Sequence, residues 1–265
     1  MARWIRVEPK DAITVLTLDR QARRNAMHAE VWQELEQVAT ELAASPPRVL
    51  VVTGAGGHFS AGMDLSMDNA IVHRLLPLIQ SGDEAGLQEL IADLQASMNA
   101  FASFPAPVIA AVEGACAGSG LEWAMATDLI VAADGAFFSL PETRHGMVPD
   151  VGGSTRLARR VGHARATDLV LTGRRIDTAE AAAWGLVDRR VPEGQALDHA
   201  LELAQQICRG APTASLEALG LMRGSEHVSR GMADERTAGA RALLSGEVIE
   251  GFTAWSERRD PAWIP

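Results

Sequence analysis

The 265-residue sequence predicts an α/β protein, and two observations support this class. Apolar segments rich in β-branched residues alternate with segments that carry a helical apolar stripe, and glycine-containing turns separate the two kinds. After about residue 192 the β-rich segments stop, and residues 194–259 have the pattern of successive helices. We therefore predict a core over residues 1–193 and a helical region over residues 194–265.

The first predicted elements are a strand, a helix and a second strand. Residues 12–19 (AITVLTLD) alternate between apolar and polar positions, as a strand does. Apolar residues then recur at spacings of four, three and four on one face of a helix, at Val31, Leu35, Val38 and Leu42. That helix ends at the sequence SPP. The continuous apolar run in RVLVVTG, which follows, predicts a fully buried strand.

The middle of the chain continues the same order of elements. A glycine loop is followed by a long polar and helical stretch over about residues 66–103. PAPVIAAVEG predicts a third strand, GSGLEWAMATD a short helix, and LIVAADGAFFSL one or two further strands. With 47% apolar residues, a chain of this length can bury a substantial core.

Composition narrows the kind of partner and the compartment. The net charge is −10 and Lys10 is the only lysine, which argues against nucleic acid and anionic membranes as partners, because both bind positive charge. Arginines or backbone N–H groups must then hold any small anionic ligand. The N-terminal sequence lacks the features of a signal peptide, so we expect a cytoplasmic protein. The two cysteines, without a CxxC or a Cys/His cluster, predict no metal site.

The segment VLVVTGAGGHFSAGMDL, residues 49–65, carries the first candidate chemistry. Phe59 stands where a dinucleotide-binding G-x-G-x-x-G needs its third glycine, and no Gly-Lys-Ser/Thr follows for a phosphate loop. Ser60 does not fit a G-x-S-x-G nucleophile elbow, because His58 replaces the first glycine. The remaining interpretation is a loop whose backbone N–H binds the oxygen of a developing enolate.

A second N–H donor and two carboxylates lie further along the chain. Ser119 directly precedes a predicted short helix, whose first amides have no helical partner. Glu122 lies one helical turn later, on the same side as the Ser119 amide, and Glu142 follows an apolar strand and a proline. Two carboxylates beside an oxyanion site can divide acid and base roles when their environments differ. Spacing alone leaves open the alternative that both are solvated surface glutamates.

Motifs that span nearly the whole chain carry a resemblance to a known family. In chain order they are RRNAM, GAGGHFSAGMDL, PVIAAVEGACAGSGLEWAMATDL, LPETRHGMVPDVGGSTRL, LTGRRIDTAEAAAWGLVDRRVP and GFTAWSERRDPAW. Together they resemble the enoyl-CoA hydratase/isomerase family, also called the crotonase superfamily. The resemblance implies a crotonase-like spiral of ββα repeats with a C-terminal helical trimerisation region, assembled as a homotrimer or homohexamer.

The resemblance also implies a catalytic site for an acyl-CoA thioester. The amides of Met63 and Ser119 would form the oxyanion hole. Many relatives carry glycine at position 119, so we expect serine to be tolerated if it can adopt the backbone conformation. Glu122 and Glu142 would jointly hold and activate water, and Glu142 would deliver the proton to the α-carbon of a trans-2-enoyl-CoA.

Coenzyme A would bind as part of the substrate, with no separate cofactor. The residues that the resemblance implies for substrate and CoA binding are Ala22, Arg23, Arg24, Ala61, Met63, Asp64, Leu65, Ser66, Ser119, Trp255 and Arg258. Trp255 and Arg258 correspond to residues that in relatives can reach the CoA site of a neighbouring subunit.

Asp150 departs from the pattern of simple hydratases, which often have glycine at this position. An acid there occurs in relatives that isomerise dienoyl-CoA and in some that hydrolyse 3-hydroxyacyl-CoA thioesters. Asp150 weakens the prediction of a simple hydratase, but the resemblance still favours an enoyl-CoA hydratase, because Glu122 and Glu142 match the two glutamates of the family's hydratases. A dienoyl- or enoyl-CoA isomerase and a 3-hydroxyacyl-CoA hydrolase remain alternatives, in which Asp150 acts as a third acid. One branch of the family binds RNA, a function that the acidic composition disfavours.

Overall fold

A six-stranded sheet forms the centre of the computed structural model, which describes residues 4–210, 212–223, 236–237, 239–240, 243–259 and 262. The strands are β1 (Ile5–Lys10), β2 (Ile13–Leu18), β3 (Val49–Gly54), β4 (Val108–Val112), β5 (Ala115–Ala117), β6 (Leu129–Ala133), β7 (Phe137–Ser139), β8 (Ile176–Asp177) and β9 (Arg189–Val191). The large sheet has the order β1-β2-β3-β4-β6-β9, and only its β1-β2 pair is antiparallel. The predicted α/β class is therefore confirmed.

Helices cover the sheet and fill the connections between its parallel strands. They are α1 (Ala29–Ala44), α2 (Ala70–Ser81), α3 (Glu84–Ala102), α4 (Ser119–Met125), α5 (Gly153–Val161), α6 (His163–Thr172), α7 (Thr178–Trp184), α8 (Ala196–Ile207), α9 (Pro212–Arg223) and α10 (Glu247–Glu257). Two short 3-10 turns lie at Gln21–Arg23 and Glu142–His145. Parallel strands need such crossovers, because each strand ends at the opposite end of the sheet from the one at which the next strand begins.

The predicted strands are present, but burial at the first of them differs from the prediction. All six residues of β2 are buried, whereas alternation predicts one exposed face. The reason is that apolar layers cover both faces of the sheet, so Val15 packs on one side and Leu16 on the other. β1 was not predicted. Five of its six residues are exposed, since it is the edge strand of the sheet.

The predicted helix over residues 29–44 uses the face that its apolar spacing indicates. Val31, Leu35 and Val38 are buried against the core, and Leu42 packs partly buried at its edge. The long helical stretch that follows is two helices, α2 and α3, because Gly82 adopts a left-handed conformation (φ 67°) and ends the first of them.

A second, three-stranded sheet of order β5-β7-β8 positions the candidate site. β5 leads directly into α4, and β7 leads through Leu140 and Pro141 into the turn at Glu142–His145. Single bridges join Ser60 to Cys116 and Met27 to Met63. The glycine loop after β3 is therefore tied to the start of α4, although the two are about 60 residues apart in sequence.

The C-terminal helices begin as part of the core. α8 lies on the large sheet through Ala196, Ala200 and Ala204. The predicted break near RGAPTAS is confirmed, because α8 ends at Ile207 and α9 begins at Pro212. The second predicted break, RGSEHVSRG, lies outside the described residues apart from Arg223. The division at residue 193 and the trimerisation role stay predictions.

Membrane-spanning helices and metal-binding clusters are both absent from the described residues. None of the helices there is long and apolar enough to cross a bilayer. In the same part of the chain, no group of three or more His, Cys, Asp or Glu side chains is placed to hold a metal ion.

Candidate active site

Asn25 fixes the glycine loop that leaves β3. Its side chain is fully buried, and its Nδ2 donates to the carbonyl oxygens of Ala55 at 2.8 Å and His58 at 2.7 Å. Its Oδ1 accepts a hydrogen bond from the N–H of Arg20 at 2.8 Å. A side chain at Gly54 would overlap the carbonyl oxygen of His58. The buried amide of Asn25 thus holds the backbone of the loop in one conformation.

The Met63 amide lies at the end of this loop. The neighbouring backbone groups are paired: Met27 donates its N–H to the carbonyl of Gly62 at 2.8 Å, and Asp64 donates to the carbonyl of Met27 at 3.0 Å. The Met63 N–H has no acceptor within the part of the chain that the structure describes. Met63 is only partly buried, so this N–H is open to water or to a ligand.

Ser119 provides a second unpaired amide beside the first. Among the described residues its N–H has no acceptor. The unusual backbone falls on Gly118 (φ 53°, ψ −132°), while Ser119 is not among the residues with positive φ. Serine is therefore accommodated at this position, as expected. A Cβ placed on Gly62 would lie only 3.3 Å from the Ser119 nitrogen, so the two loops are in direct contact.

Glu122 is held in one orientation by backbone amides. The residue is 2% exposed, and its Oε1 accepts hydrogen bonds from the N–H groups of Val151 at 3.1 Å and Gly153 at 2.8 Å. Glycine is required at position 153, because a Cβ there would lie 2.6 Å from Oε1 of Glu122. The carboxylate is thus a fixed hydrogen-bond acceptor on the first turn of α4.

Glu142 has a different environment from Glu122. Its Oε2 is buried and has no hydrogen-bond partner in the described part of the chain. Its Oε1 would lie 3.1 Å from a Cβ on Gly118, which places the carboxyl group next to the Ser119 loop. Burial, with a further contribution from the negative charge of Asp150, raises the pKa of Glu142 to about 8. The two glutamates therefore differ in the way that a division of acid and base roles requires.

These groups share one cavity of about 890 Å³. Every residue predicted for the site lines this cavity, with the exception of Ala22 and Arg258. Asp150 lines it together with both glutamates. Trp255, from α10, is 54% exposed and lines the cavity of its own chain.

Asp64 lines the cavity, but its carboxylate already has protein partners. Oδ2 lies 2.6 Å from Nη1 of Arg20, and Oδ1 accepts hydrogen bonds from both the N–H and the hydroxyl of Ser66. Burial alone would raise the pKa of Asp64, but the bonds from Ser66 and Arg20 outweigh it and hold the pKa below its ordinary value. Its side chain therefore shapes the loop, and Arg20, which holds this carboxylate in place, was not predicted from the sequence.

Arginines and a histidine on the Glu142 side of the cavity were also not predicted as site residues. They are Arg144, His145, Arg174 and Arg175. The Nδ1 of His145 is buried without a partner among the described residues, and burial, together with the charge of Arg144, lowers the pKa of His145. The paired arginines of LTGRR were the available signal in the sequence for this basic wall.

Comparisons with known proteins identify the family and related structures. The family model described as Enoyl-CoA hydratase/isomerase matches residues 8–264. A carnitinyl-CoA dehydratase of Escherichia coli O157:H7 is 36% identical over 276 residues, which cover 99% of this chain and 99% of that protein. A protein of Mycobacterium tuberculosis (strain CDC 1551 / Oshkosh), named "Probable enoyl-CoA hydratase echA8", is 35% identical over 260 residues, with 97% and 96% covered. The crystal structure of an enoyl-CoA hydratase from Mycobacterium avium subsp. paratuberculosis K-10 superimposes with a TM-score of 0.83 at 27% identity and covers 100% of both chains.

Proposed function

The chain belongs to the enoyl-CoA hydratase/isomerase family as one of its enzymes, and from this premise we propose that it adds water across the C2–C3 double bond of a trans-2-enoyl-CoA. One observation carries the proposal. Two unpaired backbone amides, at Met63 and Ser119, lie in the same cavity as two glutamates whose environments differ.

The two amides are suited to hold the thioester oxygen. Water addition at C3 sends the electron pair of the double bond towards the carbonyl, and the developing enolate oxygen needs donors that are already in position. The N–H groups of Met63 and Ser119 meet this need without reorganisation, because their loops are fixed by Asn25 and by the contact at Gly62. Loss of one such donor costs about 3 kcal/mol in the barrier.

The glutamates divide the proton transfers. Glu122, fixed as a hydrogen-bond acceptor, takes a proton from water as the water oxygen bonds to C3. Glu142, whose pKa is about 8, is protonated at neutral pH and gives its proton to C2. The net change is the addition of one water: its hydroxyl group bonds to C3, C2 receives the proton of Glu142, and transfer of a proton from Glu122 to Glu142, directly or through solvent, restores both carboxyl groups. The addition involves no oxidation or reduction, so we propose no cofactor beyond the CoA of the substrate.

CoA binding and assembly complete the proposal. Arg23 and Arg24 line the cavity and are exposed, in a position to meet CoA phosphates. Trp255 offers an aromatic face at the same cavity. We propose that Arg258, which lies outside the cavity of its own chain, contributes to a neighbouring site within a homotrimer or homohexamer, and that the enzyme acts in the cytoplasm.

A second candidate reaction rests on Asp150. A third carboxyl group in the cavity can relay a proton along a conjugated acyl chain, which favours enoyl- or dienoyl-CoA isomerisation, or it can assist thioester hydrolysis of a 3-hydroxyacyl-CoA. The E. coli relative is named a carnitinyl-CoA dehydratase, which adds the reverse direction, the loss of water from an acyl-CoA, to the reactions worth testing.

One experiment separates these reactions. The protein is incubated with trans-2-enoyl-, 3-enoyl-, 3,5-dienoyl- and 3-hydroxyacyl-CoA, and the products are identified by mass spectrometry. A product heavier by one water from the 2-enoyl substrate supports hydration, an isobaric product from the 3-enoyl or dienoyl substrate supports isomerisation, and free CoA supports hydrolysis. Failure to convert the 2-enoyl substrate, at enzyme concentrations where CoA still binds, would overturn the proposed hydratase.

A further inference from the structure

We propose that Arg144 and Arg175 form a second anion-binding position on the cavity wall, for a phosphate or carboxylate group of the acyl-CoA; the identity of that ligand rests on the function proposed above. Both side chains line the cavity that contains Glu122 and Glu142. The position lies on the side of β8 and the Glu142 turn, so it belongs to a different part of the fold from Arg23 and Arg24.

The Arg144 guanidinium is anchored by one of its nitrogens only. Its Nε donates to the carbonyl oxygen of Thr172 at 2.7 Å. Gly173, which follows in a left-handed conformation (φ 56°), leaves the space for this side chain, because a Cβ there would lie 2.9 Å from the Arg144 Nε. Neither Nη has an acceptor in the described part of the chain, so the outer edge of the fork is available.

The Arg175 guanidinium is anchored by an aromatic ring. Its Cζ lies 4.4 Å from the centroid of the Phe137 ring. The residue directly precedes β8, which pairs with β7 through Phe137 and Asp177. This cation–π contact holds the guanidinium over the ring and does not use its N–H groups as hydrogen-bond donors. Within the described ranges, Arg175 has no carboxylate partner.

The intervening arginine shows the contrast. Arg174 is neutralised by Asp168 and Glu180, each at 2.6 Å, and its Cζ lies 5.1 Å from the Trp184 ring centroid. The positive charge of Arg174 is therefore balanced by carboxylates of the protein itself. The charges at Arg144 and Arg175 have no such partner in the described part of the chain, and two guanidiniums without carboxylate partners on the wall of one cavity favour an anion.

The chemistry of the ligand follows from the donors. A guanidinium fork matches the paired oxygens of carboxylate and phosphate, and two pre-positioned forks lose little side-chain entropy on binding. An acyl-CoA offers such a group in two places, as the phosphates of CoA or as a carboxylate at the far end of the acyl chain.

Equilibrium binding to the full-length protein distinguishes these sources without relying on turnover. Dissociation constants are measured by calorimetry for butyryl-CoA, butyryl-pantetheine and glutaryl-CoA, with wild type and with the R144Q/R175Q double variant. Arg159→Gln is the matched control, since Arg159 is an exposed arginine that does not line the cavity. The double variant loses a charged hydrogen bond from each guanidinium. We therefore expect it to bind the ligand that carries the anion at least about tenfold more weakly than wild type does. This difference between the two proteins should be smaller at high salt.

Each pattern of loss has one meaning. Weaker binding of both CoA esters but not of the pantetheine ester identifies a CoA phosphate as the anion. Weaker binding of glutaryl-CoA alone identifies the acyl carboxylate. The anion position is overturned if wild type and the double variant bind each ligand with the same affinity. It is also overturned if the double variant loses affinity equally for all three ligands, including butyryl-pantetheine. If the wild type hydrates no enoyl-CoA but the arginine-dependent loss is present, the proposed reaction fails and the anion position stands.

Discussion

Nη1 of Arg20 lies 2.6 Å from Oδ2 of Asp64, and the two side chains are only 12% and 8% exposed. The same Nη1 donates to the carbonyl oxygen of Ala26 at 2.9 Å. Residues 20–27 are thereby tied to the loop that presents the Met63 amide. We infer that the ion pair supports the proposed reaction by positioning this amide, because the two charges are paired with each other and are not available to the substrate oxygen.

Removal of one charge of this pair should reduce both stability and activity. In Asp64→Asn the buried guanidinium of Arg20 is left uncompensated, and we expect the free energy of unfolding at pH 7 to fall by about 3 kcal/mol. The hydration rate should fall in the same variant, because the Met63 amide loses its support. Urea denaturation and crotonyl-CoA hydration measure the two effects. Unchanged stability in Asp64→Asn would contradict the stabilising role of the ion pair. The control is Asp68→Asn, which removes an exposed carboxylate nearby.

Glu142 predicts a pH limit on activity. Its carboxyl is protonated below its pKa of about 8, so hydration that uses it as proton donor should decline as the pH rises through 8. A profile of kcat/KM between pH 5 and pH 10 measures this. In Glu142→Gln the rate should fall at least about 100-fold, with CoA affinity retained. A flat profile across pH 8 would contradict the assignment of Glu142 as the acid.

The same carboxyl group predicts how stability varies with pH. A raised folded-state pKa means that the folded protein binds more protons than the unfolded chain between the ordinary value of 4.5 and about 8. The contribution to stability is present below 4.5 and is lost as the pH rises through this window. The free energy of unfolding of Glu142→Gln, relative to that of wild type, should therefore be more favourable at pH 8.5 than at pH 5. Thermal unfolding at the two pH values measures the difference, and an equal effect at both contradicts it.

Asp150 is expected to tune this acid. Its negative charge contributes to the raised pKa of Glu142, so Asp150→Asn should lower that pKa and move the decline in hydration rate to lower pH. The pH profile of the variant is the measurement. If Asp150→Asn instead abolishes activity at every pH while CoA still binds, Asp150 takes part in the reaction directly, as the second candidate requires.

Glu122→Gln should remove the base while keeping the fold. A glutamine Oε1 can still accept the N–H bonds of Val151 and Gly153, so we expect stability close to wild type. The hydration rate should fall at least about 100-fold. Glu36→Gln, at an exposed position of α1, controls for the change of charge. A rate within a few-fold of wild type would show that Glu122 is not the base.

Gly62→Ala tests the contact between the two amide loops. Gly62 and Gly57 both have positive φ (91° and 75°), so alanine should introduce comparable backbone strain at each. Only at Gly62 does the added Cβ meet backbone, 2.7 Å from the carbonyl oxygen of Ala117, whereas nothing lies within 4 Å at Gly57. We expect Gly62→Ala to lose about 100- to 1000-fold in kcat, as for loss of an oxyanion donor, and Gly57→Ala to retain activity. Similar kcat values for the two variants would contradict the proposed role of the contact.

Local pattern was sufficient for most of the elements. The apolar stripe of α1 and the buried run of β3 follow from periodicity, because each element must bury one face or both. The edge strand β1 could not be predicted in this way, since its side chains are mostly exposed and only pairing with β2 makes it a strand. Burial of both faces of β2 likewise depends on the layers that pack against the sheet.

The sequence by itself determined the class of fold, the motifs of the family and the candidate carboxylates, because these depend on residue types at fixed local spacings. The tertiary structure decided which groups meet. Arg20 reaches Asp64 across 44 positions, and Arg144 reaches the carbonyl of Thr172 across 28. It also decided how the glutamates differ, since the pKa of Glu142 depends on burial and on the charge of Asp150. Such long-range contacts and desolvation are properties of the packed chain, which no local pattern contains.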